Sequence, residues 1–305
     1  MGQMAKFGRL LTAMVTPFDT EGKVDYTQAR KLAQALLDSG SDGILVSGTT
    51  GESPTLSHEE KLRLFAEVKS VVDEQGIVIA GTGSYNTAES CQLTKEAEKT
   101  GVDAFLLVVP YYNRPTQEGL FEHFKTIAQA TNLPCILYNV PSRTVINLAA
   151  ETVIKLSHID NIIGVKEASS NFDQIAKIVQ GTREEFLVYS GNDGDTLPIL
   201  TLGGYGVISV ASHLVGKQIQ QMIQNFVNGK ITEASAIHRQ LLPLINALFI
   251  ISNPIPIKYA LNYIGFPVGK PRLPLTEADK KSAALIKAAL KNYKIDLPIA
   301  ARVQD

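Results

Sequence analysis

Short apolar runs rich in β-branched residues recur along the chain, and each gives way to a stretch whose apolar positions fall three and four apart. The runs lie at 10–18, 43–48, 77–83, 104–110, 135–140, 162–167, 186–191 and 206–211. Continuous apolar runs of this kind predict strands buried on both faces of a parallel sheet. Strands alternating with helical patterns make βα units. Eight of them is the number that closes a (β/α)₈ barrel. Helix-start signals fall in the gaps: Asp25 with Gln28, Ser57 with Glu60, Asn86 with Glu89 and Asn171 with Gln174 each have capping-box spacing. Gly40 and Gly101 stand where helices should stop. Leu62, Phe65, Val68 and Val72 give the second helix its apolar face.

A doubly wound open sheet is the rival arrangement. It lacks its dinucleotide fingerprint, because Gly81-Thr82-Gly83 is not followed by the third glycine. From about residue 215 to 293 the pattern is helical, broken at Asn253-Pro254 and at 265–274. The expected organisation is therefore a TIM barrel over 1–229 with a C-terminal helical appendage over 230–305. The apolar stretch 241–251 reads either as packing on the barrel or as an oligomer contact.

Composition narrows the function classes. The 305 residues carry 29 basic and 30 acidic side chains, a formal charge of −1 and a pI near 6.5, which gives no footprint for nucleic acid or an anionic membrane. No apolar run approaches the ~20 residues of a membrane-spanning helix, and the N-terminus shows no leader pattern. Cys91 and Cys135 form no CxxC pair, so a reducing, cytoplasmic setting is expected. The five histidines show no metal-ligand spacing, and no metal or cofactor is expected.

Chemistry in a barrel of this kind comes from the C-terminal ends of several strands. The sixth run, Ile162-Ile163-Gly164-Val165-Lys166-Glu167, drives an apolar strand into a lysine. Taken alone, that lysine can run its stem along the barrel and reach solvent. Alternatively it is held out of water, where the neutral amine that attacks a ketone is favoured. The neighbouring ends tip the balance toward the second reading. Strand two ends in Ser47-Gly48-Thr49-Thr50-Gly51-Glu52-Ser53, a plain tight turn or an anion cradle. Strand four ends in Tyr111-Tyr112-Asn113-Arg114, and strand five in Tyr138-Asn139-Val140-Pro141-Ser142-Arg143. By parity Tyr138 points with Ile136 and Val140. Arg143 can clamp a carboxylate bidentately. A lysine, tyrosines, threonines and an arginine converging at one mouth suit Schiff-base chemistry on a keto acid.

The segments GILVSGTTGES, VVPYYNRPTQEGL, ILYNVPSRT, IIGVKEAS and YSGND, in this order and spacing, resemble the dihydrodipicolinate synthase (4-hydroxy-tetrahydrodipicolinate synthase) family of pyruvate-dependent lyases, from about residue 11 to 291. The resemblance implies a TIM barrel with helical appendage, usually a homotetramer built as a dimer of dimers, that joins pyruvate to aspartate semialdehyde on the route to diaminopimelate and lysine. It assigns the Schiff base to Lys166, a proton relay to Tyr138, Thr49 and Tyr112 (the last reaching into a neighbouring subunit), the pyruvate carboxylate to Thr50, and the semialdehyde carboxylate to Arg143. Gly191 and Ile208 match positions whose carbonyls line the site. Ser53, Pro54, His58, Lys61, Tyr85, Glu89 and Tyr111 match a lysine-binding regulatory pocket. There Lys61 and Tyr85 depart from a histidine and an asparagine, so weak or absent feedback by lysine is expected. Two rivals stand beside this reading. One is a sugar-acid aldolase of the same superfamily, such as an N-acetylneuraminate or 2-keto-3-deoxygluconate lyase. The other is a barrel that binds a keto acid without turnover.

Overall fold

A computed structural model describes residues 7–299; the first six residues, on which the expectation about a leader falls, and the last six lie outside it. Eight parallel strands close into a barrel in chain order: β1 (Leu10–Ala13), β2 (Gly43–Val46), β3 (Ile77–Gly81), β4 (Ala104–Val108), β5 (Cys135–Asn139), β6 (Ile162–Glu167), β7 (Leu187–Ser190) and β8 (Gly206–Ser209). Between and after them run helices α1 (Tyr26–Asp38), α2 (His58–Val72), α3 (Thr87–Glu98), α4 (Gln117–Ala128), α5 (Pro141–Thr144), α6 (Ala150–Leu156), α7 (Phe172–Gly181), α8 (Thr196–Thr201), α9 (Ser212–Val227), α10 (Ile231–Ala247), α11 (Ile255–Ile264) and α12 (Lys280–Leu290).

Strand parity sorts the core into two. Leu11, Leu45, Ile79, Leu106, Ile136, Tyr138, Tyr189 and Ile208 fill the barrel interior. Residues of the other parity, such as Ile44, Val78, Phe105, Leu137 and Val165, join the helices in the outer layer. Seven of the eight strands are shorter than the apolar runs that predict them; only β6 keeps the expected bounds. Pairing in β1 stops at Ala13, yet Met14, Val15 and Phe18 stay buried. The Phe18 N–H leaves the sheet and donates to Val268 O at 3.1 Å. Apolar character reports burial, whereas a strand also needs a neighbour's ladder.

The helix signals divide in the same way. Ser57 and Glu60 make the full reciprocal box, each satisfying a backbone donor of the other's position. Asp25, Asn86 and Asn171 accept at their helix starts. The Gln174 side chain turns away to a buried carboxylate, Glu167. Gly40 and Gly101 adopt φ of 104° and 83°, the left-handed stop that glycine reaches without strain. In α2 the buried face is Leu64, Phe65, Val68 and Val72, with the expected Leu62 only partly covered.

The C-terminal helices fold back on the barrel. α10 packs on α9, and α12 packs on α10 and α11. Leu241, Leu244, Ile245 and Leu248 of the apolar stretch are buried in the outer core, while Phe249 and Ile250 stay about 40% exposed. The segment between α10 and α11 is thereby laid across the barrel mouth.

Candidate active site

In-register pairing sets Lys166 between two tyrosines, Tyr138 on β5 and Tyr189 on β7. All three strands present these positions inward. Lys166 is 5% exposed, and its ammonium lies 4.3 Å from the centre of the Tyr138 ring, over the electron-rich face that attracts a cation. The Tyr189 hydroxyl is spent on Gly8 O at 2.8 Å toward the barrel floor. Of the two tyrosines paired with Lys166, Tyr138 is therefore the one that lines the cavity.

The next residue has the opposite parity and a different fate. Glu167 is fully buried outside the sheet, where burial pushes its carboxyl up from the ordinary range while Ser169, Asn139 and Gln174 pull it down. Asn139 Nδ2 donates to it at 3.1 Å, as does Gln174 Nε2. This cluster locks the ends of β5 and β6, the two strands that hold Tyr138 and Lys166 side by side. Asp193, just past β7, does the same for β8. It takes the Ser209 hydroxyl and the Val210 and Ala211 N–H groups, and burial pushes its carboxyl up despite those bonds and the nearby charge of Lys166.

A cavity of about 220 Å³ opens at the mouth, lined by Ser47, Gly48, Thr49, Tyr111, Tyr138 and Arg143 among others. Gly81 closes the back of the β2 loop: a Cβ there would stand 2.4 Å from Ser47 O, so the close approach requires glycine. Ser47 and Glu52 take left-handed φ of 57° and 56°, an uncommon conformation for side-chain-bearing residues that gives the loop its tight form. What holds Glu52 there is a buried ion pair. Lys258 of α11 meets its carboxylate at 2.7 Å, and the Arg272 N–H donates to the other oxygen at 2.8 Å. Thr50, 3% exposed, accepts from Asn253 Nδ2 at 2.9 Å, and Arg143 donates to Asn253 O at 3.1 Å. Asn253, from the break between α10 and α11, thus touches two of the residues expected to hold substrate carboxylates.

A dihydrodipicolinate synthetase family model matches residues 6–293. The chain belongs to that family. A 4-hydroxy-tetrahydrodipicolinate synthase from Dehalococcoides mccartyi is 66% identical over 296 residues, covering 97% of this chain and all of the relative. One from Moorella thermoacetica is 55% identical over 94% of this chain and 98% of its own. Among solved structures, the dihydrodipicolinate synthase of Cyanidioschyzon merolae with lysine bound superposes with a TM-score of 0.93 at 49% identity, covering 94% of this chain and 98% of that one. That of Bacillus anthracis gives 0.92 at 45% identity, with 94% and 99% covered.

Within this family member the remaining expected residues separate into groups. Gly191 donates its N–H to Glu167 O at 2.7 Å, and Ile208 belongs to the barrel interior. Tyr112 stands 92% exposed at φ 75°. Six of the seven residues matched to a regulatory pocket line two cavities of the chain, and the seventh packs beside them. Ser53, Pro54 and Tyr111 line the barrel mouth, and Tyr85 packs edge-on against Tyr111 at 5.1 Å. His58, Lys61 and Glu89 line a second cavity with Thr82 and Ser84, where His58 meets Glu96 at 2.7 Å. Burial lowers the Lys61 ammonium from its usual range, against the pull of Glu89. Asn253 and Lys258 lie far from any strand end, and Glu52 and Asp193, though within the strand-end segments, are not singled out by a reading of them. For Asn253 the available signal was the Asn-Pro pair interrupting a helical stretch.

Proposed function

We propose that the chain is a 4-hydroxy-tetrahydrodipicolinate synthase, condensing pyruvate with L-aspartate 4-semialdehyde for diaminopimelate and lysine biosynthesis. The observation that carries the reading is the enclosed Lys166 ammonium over the ring of Tyr138, which lines the cavity, in a chain 66% identical to a synthase of that name. The Lys166 amine adds to the pyruvate ketone and water leaves, giving an iminium on Nζ. Loss of a methyl proton, relayed through Tyr138, Thr49 and Tyr112, turns the iminium into an enamine. Its carbon attacks the aldehyde of the second substrate, and the aldehyde oxygen takes up a proton. The amine of the adduct then closes onto the iminium carbon and expels Lys166, so one water is lost overall. Thr50 holds the pyruvate carboxylate, Arg143 holds the semialdehyde carboxylate, and the carbonyls of Gly191 and Ile208 line the site.

Borohydride reduction in the presence of pyruvate should add mass to the peptide containing Lys166; an unmodified peptide would end this reading. Turnover with aspartate semialdehyde but not with sugar aldehydes separates the synthase from a sugar-acid aldolase. The protein acts in the cytoplasm as a homotetramer, a dimer of dimers, with Tyr112 serving a neighbouring subunit. The exposed ring and left-handed φ of Tyr112 support that role. Mixing inactive Tyr112→Phe and Lys166→Ala chains should then recover activity, and no recovery would assign Tyr112 elsewhere. The barrel-bearing unit runs to about residue 229, and the helical appendage follows.

A further inference from the structure

Asn253 is 6% exposed, and its amide makes a divided set of contacts. Nδ2 donates to Thr50 Oγ1 at 2.9 Å, and the backbone oxygen accepts from Arg143 at 3.1 Å. Oδ1 is buried without a hydrogen-bond partner among the described residues. A buried polar atom of this kind is uncommon in folded proteins and calls for a partner. The direction of the amide follows from Thr50. A hydroxyl has one proton, and if Thr50 gives it to a carboxylate then it must accept from its protein neighbour. Only the amide nitrogen can donate, so the carbonyl oxygen is the end left over. That oxygen accepts hydrogen bonds and gives none.

The geometry points to Asn253 as the residue that reads the α-ammonium group of the aldehyde substrate, with Oδ1 accepting its N–H while the Arg143 guanidinium takes the adjacent carboxylate. The inference rests on the synthase reading and sharpens it: the second substrate is selected as an α-amino acid, not merely as an acidic aldehyde. One residue then touches the anchor of each substrate, through Nδ2 on Thr50 and through its backbone on Arg143. Hydrogen or a methyl in place of the ammonium would leave Oδ1 unpaired or pressed against carbon. Sites built to bond a substrate N–H discriminate most strongly against analogues that lack it.

The test compares aspartate semialdehyde with succinate semialdehyde, which keeps the aldehyde and carboxylate but has hydrogen in place of the ammonium. Consumption of the borohydride-trappable pyruvate adduct is the readout, so ring closure is not required. The wild-type protein should prefer the amino substrate by roughly 10–100-fold in kcat/KM, the range of one hydrogen bond to a charged group. In Asn253→Ala and Asn253→Ser that ratio should fall toward unity. Any general loss through Thr50 or Arg143 affects both aldehydes and cancels in the ratio. A wild-type protein that consumes both aldehydes equally overturns the inference without any variant. So do variants that lose both aldehydes in proportion. If pyruvate forms no adduct at all in the wild type, the synthase reading itself has failed, which is a different result.

Discussion

Lys258→Met tests whether the C-terminal helices hold the active-site loop. Lys258 and Glu52 are each about 1% exposed in their side chains and meet at 2.7 Å. The ammonium also donates to Lys270 O at 3.2 Å and lies 4.1 Å from the centre of the Phe18 ring. Burial outweighs the attraction of Glu52 and brings the Lys258 ammonium down to about 8. Methionine keeps most of the apolar stem and removes the charge. Glu52 is then a buried carboxylate with the Arg272 backbone N–H at 2.8 Å as its remaining donor among the described residues. Removing one partner of a buried ion pair costs about 3–5 kcal/mol. At about 2.1 cal/mol/K of unfolding entropy per residue, a chain of 305 residues should lose about 5–8 °C of Tm. The double variant Lys258→Met/Glu52→Gln removes the stranded charge and should recover at least half of that loss, because the pair itself is worth little beyond the cost of burying it. Differential scanning fluorimetry gives the four Tm values of the cycle, and the rate of pyruvate adduct formation reports the loop. A single-variant drop below about 1.5 °C, roughly 1 kcal/mol by the same entropy, would refute the reasoning. So would a double variant no better than the single.

Arg143→Ala should raise the KM for aspartate semialdehyde at least about tenfold, the value of a lost charge-assisted contact, with pyruvate trapping largely intact; equal loss of both would remove the arginine from the second substrate. L-lysine at millimolar concentration should inhibit steady-state turnover weakly or not at all, because the Lys61 cation stands beside Glu89 and His58 in the second cavity; half-inhibition below a millimolar would contradict this. His213 is fully buried as the neutral ring, with Nε2 accepting the Val15 N–H at 3.2 Å, and burial takes it down to about 4. Its contribution is therefore present above pH ~6.5 and lost as the pH falls toward 4, about 2 kcal/mol between pH 7 and pH 5. Urea unfolding of wild type and His213→Gln at the two pH values checks it, and an equal pH dependence in both proteins would mean that another group carries the acid lability.

The barrel was legible because its rules are local. Alternating βα patterns gave eight strands, and period-2 parity sent Ile136, Tyr138 and Val140 to one face, where they sit together in the barrel interior. Strand lengths were less legible, since Met14 and Phe18 look the same whether a ladder or a loop buries them. The capping boxes show the same limit from another side. Gln174 has the spacing of a box partner, but a buried carboxylate on β6 offers its amide a stronger claim than the helix start does. What the sequence hid was the support of the mouth from a distance. Asn253 meets Thr50 across 203 positions, and Lys258 meets Glu52 across 206. No period or motif encodes a contact at that range. In Ile255-Pro256-Ile257-Lys258-Tyr259-Ala260 a lysine within an apolar helix reads as the solvent-facing side chain of an amphipathic stripe. It is a core residue because Glu52, at a left-handed turn in the loop that carries Thr49 and Thr50, buries a carboxylate at the same place. The strand ends therefore name the groups proposed to do the chemistry, while contacts from the C-terminal helices hold the β2 loop that carries two of them.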